Sequence, residues 1–288
     1  MPEERDHLTT IVGLTGKKRE QIHLLANMAP TVSDPDDICS VVATLRDSDA
    51  GFHLDTDILL EAWLTSLDET PSGHLYAVSM EGDLHYVKNK TWTTLDLQCP
   101  DGLDALWAAS DRVLFAVGDD GACVRIVDML PTRSVDKKKR TLNHVHGTSP
   151  DDAYAVGDNG CILHFQHNTW TEMESPTNAT LMAVLCHDDA VYIAGSEGTL
   201  FRFKDDEWDE FHSGKEDVIT SLAWCGGALY AAAGVSGIYR LESQGLKKIK
   251  DRIADELRTI NGVLYAFSGD FIMQFDGKKN WSGYSIGI

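Results

Sequence analysis

His144 and His146 stand two residues apart in "LNHVHG", a spacing that in a β-strand sends both imidazoles to one face. There, with His164 or His187, they could hold a metal ion, since imidazole is a common ligand. No further ligand stands at a spacing that demands a metal, so the pair is a weak candidate and no metal or cofactor is expected. "GYSIG" at 283–287 has the GxSxG form of a nucleophile elbow, but the elbow needs a following helix and only Ile288 comes after it. Ser285 is therefore not expected to be a nucleophile. "GLTGKK" at 13–18 is too short for a phosphate loop and lacks Ser or Thr after the lysine, so it reads as a β-turn with solvated lysines. A pair of carboxylates for glycoside cleavage cannot be picked from so many acids. No catalytic constellation emerges, and the chain is expected not to be an enzyme.

The acids matter as a population. Forty-five Asp and Glu against 25 Lys and Arg in 288 residues give a formal charge of -20. Such a surface repels DNA, RNA and anionic membranes and attracts a cationic partner. The one basic run, "DKKKR" at 136–140, reads as a solvated edge. The start "MPEERDHLTT" is no export signal, and no run of about 18 apolar residues exists, so a soluble cytoplasmic protein is expected. Cys39, Cys99, Cys123, Cys161, Cys186 and Cys225 are dispersed, which reads as free buried thiols. "NAT" at 178–180 fits a glycosylation acceptor by chance.

The elements that must position these residues repeat. The strand "AYAVG" around Tyr154 recurs as "LYAVS" at Tyr76, "LFAVG" at Phe115, "VYIAG" at Tyr192, "LYAAA" at Tyr230 and "LYAFS" at Tyr265, with spacings of 39, 39, 38, 38 and 35 residues. Six residues after the anchor stand Gly82, Gly121, Gly160 and Gly198, and Gly237 after a one-residue slip. Sixteen after it stand Trp92, Trp170, Trp208 and Trp281, replaced by Pro131 and Leu246 in two divergent copies. An apolar pair precedes each anchor, from Leu64 and Leu67 to Leu257 and Ile260.

One copy reads as four strands: "LNHVHG", "AYAVG", "CILHFQ" and "WTEME", joined by turn residues. Four antiparallel strands in about 38 residues, repeated six times over 59–288, predict a single all-β domain, a β-propeller. Residues 1–58 read as a degenerate seventh copy plus a closing segment. "PDDICSVV" at 35–42 aligns with "PDDAYAVG" at 150–157, and Leu25 and Met28 supply the leading pair. Seven blades are expected, with six blades and an N-terminal extension as the alternative. Only "QIHLLANM" at 21–28 reads as a helical turn.

The stretch "SPDDAYAVGDNGCILHFQHNTWTEM" resembles bacterial propeller repeats of the sialidase-like and photosystem-assembly-factor-like kind, in which a YAVG..G.I....G..W unit recurs. The resemblance covers residues 59–288 well and the first 58 poorly. It implies a fold and little about function.

The repeated residues have structural readings. The tryptophans are expected to cover the interface between sheets, each burying about 150–250 Å². The glycines are expected to supply positive φ between the second and third strands. Function is left to positions that the repeat does not dictate. In an up-and-down blade the second-to-third turn and the link to the next blade share one end. Glu81, Asp119, Asp120, Asp158 and Glu197 fall in the turns, and Asp101, Glu216, Asp217, Asp255 and Glu256 in the links, which predicts an acidic ring at one mouth. The other end mixes Asp151, Asp152, Asp188 and Asp189 with Lys88, Lys90, Lys204, Lys278 and Lys279.

The leading functional expectation is a non-catalytic protein that is monomeric on its own and grips a basic protein with this acidic face. A bacterial immunity protein that neutralises a secreted toxin is the specific version. An interface of about 1,600 Å² suffices for tight inhibition. The alternatives are a hydrolase, lyase or glycan binder working at the central mouth, and a structural assembly factor using the same face.

Overall fold

The computed structural model describes residues 7–30, 39–48, 51–211, 217–277 and 280–286. They form seven four-stranded antiparallel sheets, each in simple sequence order, arranged as a ring. The fold is a seven-bladed β-propeller. Blade 1 spans residues 7–60, and blades 2 to 7 span 64–96, 105–135, 142–172, 181–210, 221–250 and 256–285. In every blade the first strand lies at the axis and the fourth outermost, because contact between successive blades is concentrated on their first strands.

The core is divided among the blade interfaces. Seven clusters of buried apolar residues fill the seven gaps; Leu114, Ala116 and Val124 of blade 3, for example, pack on Val78 and Leu84 of blade 2. This arrangement explains the repeat. The apolar pair and the YAVG strand alternate so that both faces of each sheet are covered by neighbours. Trp170 packs tilted at 5.2 Å from Phe165 of its own blade and edge-on at 5.9 Å from Phe115 of the preceding one, so it covers the inter-sheet seam. The recurring glycine does two things at Gly160. Its φ is 66°, and a Cβ there would lie 1.9 Å from the Thr177 carbonyl oxygen, where the link to blade 5 passes.

Blade 1 departs from the sequence reading in three ways. The stretch at 21–28 is not a helical turn; Gln21–Pro30 is the second strand of the blade, paired along its length with His7–Lys18 and Cys39–Ser48. Leu25 and Met28 therefore sit on a second strand and Cys39 on a third, one strand later than the repeat alignment placed them. The cause is strand length: the four strands have 10 to 12 residues, against 4 to 8 in the other blades, so a 38-residue frame slips. Finally, "GLTGKK" is no turn. It lies within the inner strand His7–Lys18, and the Lys17 ammonium donates to the Thr70 carbonyl of blade 2.

Blade 1 supplies all four of its strands from 7–60 and blade 7 all four from 256–285, so the ring closes without a strand shared between first and last blades. Their seam is held by apolar contact of Ile11, Leu14, Ile22 and Leu24 with Ile260, Tyr265, Phe267 and Ile272. Among the described residues one backbone bond crosses it, from the Ile11 N–H to the Gly269 carbonyl at 2.7 Å. Buried Asp47 adds a polar lock, accepting from the Tyr265 hydroxyl at 2.5 Å, Arg19 Nε at 2.9 Å and Gln274 Nε2 at 3.3 Å.

Candidate functional site

The second-to-third turns and the inter-blade links do lie at one end of the ring, and they are hydrogen-bonded to each other. Three of the turns, Asp119–Gly121, Asp158–Gly160 and Ser196–Gly198, are single 3-10 turns whose middle residue is left-handed. Asp120, Asn159 and Glu197 take φ of 51°, 53° and 60° there. The first acid of the turn ties down the next link: Asp119 Oδ1 accepts from the Thr141 hydroxyl at 3.0 Å, and Asp158 Oδ1 from Thr180 at 3.3 Å. Asp217 accepts from the Tyr239 hydroxyl at 3.1 Å, and Asp255 from Ser268. Glu81 and Glu197 are exposed in their turns. Glu216 lies outside the described residues.

Two features revise the ring. Glu256 is half-buried at the start of blade 7's inner strand, where Oε2 accepts from the Ser221 hydroxyl at 3.0 Å and burial pushes its carboxyl upward. The second revision concerns the "DKKKR" run, which is the link from blade 3 to blade 4 and so belongs to the acidic end. Arg140 is clamped at 2.9 Å on Asp136, their side chains only 10% and 5% exposed, and it reaches Glu172 at 3.0 Å. Lys139 stands 3.7 Å from Asp120, and Arg133 pairs with Asp101. Negative charge is therefore offset around blades 3 and 4.

Asp104, which the repeat did not single out, also belongs to this end. It ends the link into blade 3, and its carboxyl is pushed up to about 6 by burial and by the like charge of Asp119. Folding therefore takes up a proton between pH 3.8 and about 6, and this group's contribution to stability falls as pH rises through that window. Asp104→Asn is expected to stabilise the fold by about 1–2 kcal/mol at pH 7.5, allowing for partial exposure, and to change little at pH 4. Urea unfolding at the two pH values checks it; equal gains at both would mean the carboxyl carries no charge penalty.

The histidines have another role than the metal site that their spacing allowed. Each inner strand is the axial edge of its sheet, with outward N–H groups that its own blade leaves unpaired. Side chains of the preceding blade cap them. His144 Nδ1 accepts from the Val184 N–H at 3.3 Å and His146 Nδ1 from Cys186 at 3.1 Å. Ser66 Oγ and Asp68 Oδ2 do the same for Leu106 and Ala108, and Ser221 Oγ for Leu257. Burial, then the nearby Arg258 charge, lower His144 to about 3 and His146 to about 4. Both rings are thus neutral, with the proton on Nε2. His164 is held by Asp152 at 2.6 Å and His187 stacks on Trp224 at 4.1 Å. Among the described residues no three His, Cys, Asp or Glu side chains gather as a metal site. Ser285 donates to Asp270 on an outer strand.

What the fold defines is a seven-bladed β-propeller whose second-to-third turns and inter-blade links share one end. No family model matches the chain. It is 32% identical over 109 residues to the protein named Immune protein Tsi7 of Pseudomonas aeruginosa, a match covering 32% of this chain and 36% of that protein. The match thus spans about a third of the relative's length. Among solved structures, the chain is similar to the WD40 β-propeller domain of Doa1, with a TM-score of 0.75, 10% identity, and 94% of each chain covered. It is also similar to streptogramin B lyase, with a TM-score of 0.71, 11% identity, and 91% and 90% covered. At such identities these two likenesses concern the fold alone. Among the described residues no helix is long and apolar enough to cross a membrane.

Proposed function

We propose that the chain is a non-catalytic, cytoplasmic binding protein whose acidic end docks a basic protein and blocks it, as an immunity protein blocks a toxin. The observation that carries the reading is where the exposed large apolar side chains stand. Met80 and Val235 occupy second-to-third turns, Val218 and Ile253 occupy links, and Leu59, Val135 and Tyr284 lie at the matching ends of outer strands. Among the described residues Leu130 alone stands at the opposite end. Val235, 82% exposed, is brought beside Ile253 by the bridge between Gly234 and Ala254. Exposed apolar groups set among mostly acidic loops are the composition of a docking surface. The partial likeness to an immune protein supports the same reading. The offset acids around "DKKKR" direct the attraction toward Asp158, Glu197, Asp217 and Asp255.

Purification of the tagged chain from its native cell should bring down one basic protein in fixed stoichiometry. Reversal of Asp119, Asp158 and Asp255 to Lys together should weaken the complex by about a hundredfold, mostly through slower association at low salt. The absence of a stoichiometric basic partner, or a complex indifferent to the three reversals, would refute the proposal.

A further inference from the structure

Arg258 stands on the inner strand of blade 7, Glu256–Ile260, and lines an axial cavity of about 240 Å³ with His144, His146, Leu185, Leu222 and Trp224. Both imidazoles commit Nδ1 to the edge of blade 5, which leaves their Nε2–H groups as the remaining donors. No carboxylate is among the lining residues. Two acids, Asp68 and Glu256, lie within electrostatic reach of Arg258, and each hydrogen-bonds to other groups. Asp68 accepts from the Ala108 N–H at 2.8 Å, the Glu69 N–H at 2.9 Å and the Thr15 hydroxyl at 3.3 Å. Glu256 accepts from Ser221 at 3.0 Å. In a chain of net charge -20, this cavity offers a guanidinium and two neutral N–H donors against an apolar wall.

We propose that the axial cavity binds a small organic carboxylate, its oxygens on Arg258 and the two Nε2–H groups and its apolar body against Trp224, Leu185 and Leu222. A guanidinium matches a carboxylate with two parallel bonds. The volume is below the roughly 300–1,000 Å³ of sites for drug-sized ligands, so the occupant is small. Inorganic phosphate would use the donors but leave the apolar wall uncovered, and a cation of the same shape meets the charge of Arg258. The site is separate from the acidic end and does not rest on the docking reading.

The test is calorimetric titration of the full chain at pH 7.5 with phenylacetate, benzylamine and inorganic phosphate. Phenylacetate is expected to saturate one site. Arg258→Leu should weaken it by about tenfold or more, while Arg258→Lys keeps part of the affinity. Benzylamine should not bind. If Arg258→Leu fails to fold, Leu185→Asp, which places a carboxylate on the cavity wall, should abolish phenylacetate binding in its stead. No saturation by about 20 mM phenylacetate, equal binding of benzylamine, or affinity unchanged in the variants overturns the proposal. Phosphate binding as tightly as phenylacetate overturns the assignment to an organic carboxylate.

Discussion

Replacing Asp47 by Ala is expected to destabilise the protein by about 3–5 kcal/mol and to open the ring at one place, the seam between blades 1 and 7. The residue is 2% exposed and accepts from Tyr265, Arg19 and Gln274, so its removal leaves the hydroxyl of a fully buried tyrosine without its partner and a guanidinium beside it. Elsewhere around the ring a short link joins each blade to the next, whereas the seam between blades 1 and 7 is held by non-covalent contacts and hydrogen bonds. Tyr265→Phe provides the comparison. It removes one donor and leaves Asp47 with two, so about 1–2 kcal/mol is expected. Urea unfolding measures the sizes, and amide exchange locates the opening, which should appear first in 7–18 and 256–268. Uniform acceleration of exchange, or equal losses in the two variants, would show that the seam is no weaker than the other interfaces.

Six blades could be read from the sequence because their constraints are local to one copy. Tyr154, Gly160 and Trp170 answer to the same three demands as their counterparts: a strand buried on both faces, a left-handed turn pressed on a link, and a ring laid over the seam. Blade 1 meets the same geometry with longer strands and neither landmark, so the 38-residue frame misplaced Leu25, Met28 and Cys39 by one strand. The shared end of turns and links was legible for the same topological reason, since alternation of strand direction alone puts the turns of Asp119 and Asp158 and the link of Asp255 on one side. What escaped was everything decided between blades. Whether Asp120 is free or faces Lys139, whether Glu256 is free or bonded to Ser221, and whether Asp104 is crowded by Asp119 all depend on the neighbouring sheet. The exposed apolar side chains escaped too, because Val235 and Val218 look in sequence like the buried valines of the strands.

The two histidines give the second large effect, on acid stability. In the unfolded chain they titrate near the ordinary 6.5; in the fold they are lowered to about 3 and about 4, by burial first and Arg258 next. Between those values the unfolded state binds more protons, so stability rises with pH across the window. The contribution is fully present above about pH 6.5 and is lost as pH falls toward 4. For the pair the loss is about 3–5 kcal/mol, less than the separate shifts would add up to, because the open channel can admit water to a charged ring. Protonation also removes the lone pair that caps Val184 and Cys186, so the joint between blades 4 and 5 should loosen before the others. Changing both residues to Asn retains an acceptor near each Nδ1 position without a titrating group. That variant should be somewhat less stable at pH 7.5 but nearly flat between pH 6.5 and 4, where the parent falls steeply. Midpoints of urea unfolding across this range decide the matter. An identical slope in parent and variant would mean that the acid sensitivity lies with the carboxylates and that the axial imidazoles are already solvated.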